Sequence, residues 1–171
     1  QGGLAPGFPS RTSQLAVRFQ EEVRAGRTPD GAMQKALEPY GIIFSDSSGV
    51  RLFDRLHPLS LGLIAEVLTL FPEDFLRSEA LKELALEHAA RAGGFVRDPV
   101  GNYDAKRARV EVSFGLNVGR GSAVLAEGLL HELGHALEEL LTDEEEAQIT
   151  SAYQQLREAG IAVWSWHLPF I

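Results

Sequence analysis

The apolar positions change their spacing several times along the chain. From Ser13 to Ala25, Leu15, Val17, Phe19 and Val23 are set among charges, which predicts a helix. Thr28-Pro29-Asp30 is a helix start, with Thr as cap and Pro in the first turn, and that helix ends near Pro39-Tyr40-Gly41. Ile42-Ile43-Phe44 and Val50 to Phe53 are short strand candidates. Leu59 to Leu70 is an apolar helix. After Pro72-Glu73-Asp74 a further helix is expected to run to about Arg91, with Leu76, Leu81, Leu84, Ala85 and Ala89 as its stripe and Gly93-Gly94 as its stop. Val110, Val112 and Phe114 alternate, which predicts a half-buried strand from Arg109 to Phe114. A long helix, capped by Ser122, is expected from Ala123 to about Leu141. Thr142-Asp143-Glu144-Glu145 is a capping box that opens the next helix, to about Ala159, where Gly160 stops it. The order predicts an α+β fold, mostly helical, with a small mixed or antiparallel sheet packed on the 123–141 helix. Residues 1–12 are expected to be a flexible tail and 13–171 a single domain.

Composition narrows the chemistry. The chain has 171 residues, a formal charge of −8 and no cysteine. Disulfides, thiolate metal sites and a cysteine nucleophile are therefore excluded. The 16 basic residues are scattered, so no nucleic-acid surface is expected. The longest apolar stretch, Leu59 to Phe71, is interrupted by Glu66 and is too short to span a bilayer. The opening Gln1-Gly2-Gly3-Leu4-Ala5-Pro6 has no charged start followed by an apolar run. It reads either as a mature N-terminus left after signal removal or as an arbitrary boundary; the expected location is secreted, with the cytoplasm as the alternative.

One motif carries chemistry. His131-Glu132-Leu133-Gly134-His135 is H-E-x-x-H. Residues four apart share one helix face, so both imidazoles can hold one cation. Zn2+ is the expected cofactor, because it accepts two imidazoles and brings a bound water near neutrality. Glu132 is the expected general base. Leu129, Leu130, Leu133, Ala136, Leu137 and Leu140 predict a buried helix, and Gly134 is expected to let another backbone approach. The bland alternative is a pair of core histidines bonded to Glu138 or Glu139.

A hydrolytic zinc site needs a third protein ligand. The metzincin extension requires Gly at 138 and His at 141; Glu138 and Leu141 exclude it. Candidates are Glu145, Glu146 and Glu158 on the following helix, His167 near the end of the chain, or a residue beyond Ile171.

Ala80 to Trp166 resembles the zinc metallopeptidases related to anthrax lethal factor, including the Pro-Pro endopeptidases. The matching pieces are a turn at Gly101-Asn102-Tyr103, the strand after it, the helix Leu-Leu-His-Glu-Leu-Gly-His-Ala-Leu-Glu at 129–138, and the Ala159-Gly160 stop. The resemblance implies a zincin-like fold and a zinc endopeptidase acting on a protein or peptide. It places the family's ligand Glu beyond Ile171, and Trp166 where the family has its oxyanion-stabilising Tyr. His167 is expected to replace that Tyr, with Tyr103 as a second candidate. The substrate is expected to lie extended along Val110–Phe114. The alternative function is a catalytically inactive, zincin-like module that binds peptides or partners. A third reading is a structural domain that self-associates through the apolar Leu168-Pro169-Phe170-Ile171 end.

Overall fold

A computed structural model describes residues 13–47, 56–87, 101–113 and 122–160. The expected 1–12 tail, the Val50–Phe53 strand, the Gly93-Gly94 stop and the segment carrying Trp166 and His167 lie outside the described residues.

Three helices form where the patterns put them. α1 spans Leu15–Arg24, α2 Pro29–Leu37 and α3 Leu56–Thr69. Thr28 caps α2 by accepting the Gly31 N–H. A 3₁₀ turn, Glu38–Tyr40, then ends in Gly41 at φ 71°, a left-handed conformation that glycine adopts without strain. The start of α1 is tied to the end of α3: Ala16 N–H donates to Thr69 Oγ1 at 2.9 Å and Ser13 Oγ to the Leu68 carbonyl at 3.3 Å. Leu15, Phe19, Met33, Leu37, Leu61, Ile64 and Leu68 are buried where these helices meet. Each such side chain contributes roughly 1.5–3 kcal/mol relative to exposure.

The next stretch departs from expectation. The helix after Pro72 is short, α4 at Glu73–Leu76, and Glu83–Glu87 is a strand, β2. With β1 (Ile43–Asp46), β3 (Gly101–Asp104) and β4 (Arg109–Ser113) it forms one sheet of order β1-β2-β4-β3. The sheet is mixed: β1 and β4 run parallel to β2, and β3 runs antiparallel to β4. Leu84, Ala85 and Leu86 are all buried in this interior strand, while Glu83 and Glu87 at its ends are half-buried. Residues 101–103, expected as a turn, are strand. The turn falls at 105–108, where the Asp104 carboxylate accepts the Lys106 N–H at 3.0 Å.

Register sorts the two faces. Phe44, Leu84, Val110 and Tyr103 lie side by side, as do Leu86, Val112 and Gly101. Against this apolar face packs the long helix α5, Ser122–Glu138, which touches β3, β4 and α3. The opposite face carries an ion network. Arg109, with 12% of its side chain exposed, donates to Glu83 (3.1 Å), Glu87 (2.6 Å) and Glu111 (2.8 Å). At the β1 edge the Gln34 carboxamide takes a strand's place: it accepts the Phe44 N–H at 2.8 Å and donates to the Ile42 carbonyl at 3.4 Å.

Leu140 begins a second compact unit. Its described helix is α6, Asp143–Glu158. The capping box is present: Glu145 N–H donates to Thr142 Oγ1 at 3.3 Å, and Thr142 N–H to Glu145 Oε2 at 2.8 Å. Gly160, at φ 73°, follows its end. Among the described residues, no helix is long and apolar enough to cross a membrane.

Candidate metal centre

The three residues of the motif come together on α5. Leu125, Leu129, Leu133 and Ala136 bury one stripe of this helix and fix its rotation. Leu130, expected in the same apolar surface, is 41% exposed. The rotation leaves His131 and His135 half-buried at the edge and sends Glu132 inward, to 2% exposure.

The two rings stand edge to face, with centroids 4.6 Å apart and planes at 83°. Their Nε2 atoms are 3.1 Å apart. Two imidazoles on one tetrahedral ion, with bonds of about 2.0–2.1 Å, hold their nitrogens about 3.3 Å apart. The donors are therefore set almost where a shared ion needs them. Glu132 Oε1 lies 3.9 Å from His131 Nε2. One ligand atom from each of His131, Glu132 and His135 falls within 4.8 Å of the others, and this group could hold a metal ion.

Two features around the motif escape a reading of the motif alone. His135 Nδ1 lies 3.1 Å from Glu138 Oε2. The bland alternative foresaw such a pairing, but it engages Nδ1 and leaves Nε2 turned toward His131. The second feature is Gly101 on β3. A Cβ there would lie 2.6 Å from the Glu111 carbonyl, 2.7 Å from Glu132 Cγ and 3.1 Å from Glu132 Oε1. The missing side chain is the room in which the Glu132 carboxylate sits. Among the described residues nothing takes the close approach expected at Gly134: outside its own helix backbone, none of their atoms lies within 4 Å of where its Cβ would be.

The remaining candidates divide. Tyr103 donates its hydroxyl to the Ala80 carbonyl at 2.8 Å, so it anchors β3 and is not held ready for an oxyanion. Burial raises its pKa, and the Glu139 and Asp104 carboxylates add to the rise. Glu145 accepts both the backbone N–H and the hydroxyl of Thr142, and these bonds hold its carboxyl below the usual range. Its carboxylate is committed to the start of α6. Glu146 and Glu158 are exposed on α6, and His167 lies outside the described residues. The expected substrate strand is also corrected. β4 is interior, paired on both sides by β2 and β3, so Val110 to Ser113 has no open edge.

No protein-family model, curated protein or solved structure matches this chain.

Proposed function

We propose that the chain is a zinc-dependent endopeptidase, with His131 and His135 as metal ligands through Nε2 and Glu132 as general base. The observation that carries this reading is the pair of Nε2 atoms 3.1 Å apart with a buried carboxylate beside them. Zinc, when bound, supplies Lewis acidity, polarising a carbonyl and easing deprotonation of water. Glu132 accepts the proton of the attacking water on its carboxylate and returns it to the leaving amine. Its burial keeps bulk water from competing for that proton. The peptide pairs with the outer edge of β3. Among the described residues β3 is a terminal strand of the sheet, and it packs on α5 beside Glu132. At the opposite terminal strand, β1, Gln34 already engages the Phe44 N–H and the neighbouring Ile42 carbonyl.

Metal analysis and digestion of a peptide library test this reading together. About one zinc per chain is expected in wild type and in Glu132→Gln, and none in His131→Ala. Cleavage should fall by about 10² or more in Glu132→Gln. Equal zinc in wild type and His131→Ala overturns the ligand assignment. Loss of zinc in Glu132→Gln makes Glu132 a ligand. Full zinc without cleavage in wild type makes the domain a peptide-binding module.

A further inference from the structure

We infer that Glu138 is a positioning residue of the metal centre, fixing the tautomer and orientation of His135 through Nδ1; the inference rests on the ligand assignment above. The geometry is directional. Glu138 Oε2 lies 3.1 Å from His135 Nδ1, while Nε2 of the same ring faces His131 Nε2, also at 3.1 Å. An ionised carboxylate only accepts hydrogen bonds, so Nδ1 carries the proton. A neutral imidazole protonated on Nδ1 has its lone pair on Nε2, where a metal must bind. Glu138 therefore selects the ligating form of the ring before any ion arrives.

Two further observations favour this role over that of an ordinary surface acid. Glu138 is the last residue of α5, where the partial negative charge of the helix end disfavours a carboxylate. Helix electrostatics thus do not account for an acid here, and the bond to His135 does. Glu138 also does not belong to the group of ligand atoms that converge with Nε2. It addresses the far side of the ring, so it orients a ligand without competing for the ion. The spacing of three residues within one helix makes the contact independent of any other element.

Zinc affinity, measured by competition with a chromogenic chelator, tests the inference in wild type, Glu138→Gln, Glu138→Ala and Glu138→Asp. Glu138 is over a third exposed, so these variants should fold with unchanged thermal stability. Glu138→Gln and Glu138→Ala should bind zinc about 10–100-fold more weakly, with Glu138→Asp recovering part of the loss. Long-range proton–nitrogen NMR on the metal-free protein reads the tautomer directly. His135 should carry its proton on Nδ1 in wild type and lose that preference in Glu138→Ala. Zinc held by wild type and by Glu138→Gln with the same affinity overturns this inference alone, as does an Nε2-protonated His135 in metal-free wild type. Wild type that holds no zinc overturns the reading beneath it.

Discussion

Replacing Gly101 with alanine adds one methyl group, and the structure fixes where it goes. The new Cβ would lie 2.6 Å from the Glu111 carbonyl oxygen and 2.7 Å from Glu132 Cγ, against an ordinary contact of 3.4 Å or more. Neither neighbour yields easily. The carbonyl belongs to β4, which is paired on both sides, and Glu132 is buried beneath the sheet. Overpacking of a fixed site costs about 1–3 kcal/mol, and two simultaneous clashes place Gly101→Ala near the upper end, about 3 kcal/mol. For a chain of this length that is a fall of roughly 6–12 °C in melting temperature. Gly134→Ala is the control: it adds the same methyl group in a helix interior where nothing described meets it. It should stabilise by about 0.5–1 kcal/mol through helix propensity. Urea unfolding followed by far-ultraviolet circular dichroism measures both. If Gly101→Ala unfolds at the same urea concentration as wild type, Gly101 is not the room for Glu132, and the packing argument fails.

Two further outcomes are expected. Hydrogen bonds from Thr142 depress the Glu145 pKa in the folded state, so their contribution is complete above the ordinary glutamate pKa and is lost as pH falls through the lowered value. Cα chemical shifts of Asp143 to Glu146 should therefore lose helical character on acidification in wild type, whereas Glu145→Gln should show no such pH dependence; identical acid behaviour of the two would refute the assignment. Arg109→Met leaves Glu83, Glu87 and Glu111 facing one another without their shared guanidinium. At neutral pH it should cost roughly 2 kcal/mol, and an unchanged urea midpoint would refute the role of the network.

What was legible in the sequence was what is local. Thr28 and Thr142 cap helices through bonds to residues three positions on, and the pattern contains both partners. The His131–His135 pair is set by helix pitch alone. β2 was not legible, because Leu81, Leu84 and Ala85 have helical spacing and the strand's identity comes from β1 and β4, remote in sequence. Strand order is not legible either: nothing local to Val110–Phe114 says that β4 is interior. The turn that the resemblance implies at Gly101 is a strand position in the fold. The reason for glycine here is Glu132, thirty-one positions later, and no local pattern holds that information. Glu138 did carry a signal, an acid three residues after the second histidine, but its meaning depended on which ring nitrogen it meets.

The Gln34 carboxamide on β1 has a consequence for assembly. Edge-to-edge growth into an open filament needs a repeating head-to-tail contact, the β3 edge of one copy against the β1 edge of the next. Gln34 occupies the Phe44 N–H and the Ile42 carbonyl that such a contact would use. Among the described residues, a single side chain on α2 thus keeps two main-chain groups at one terminal strand from pairing with another copy of the sheet.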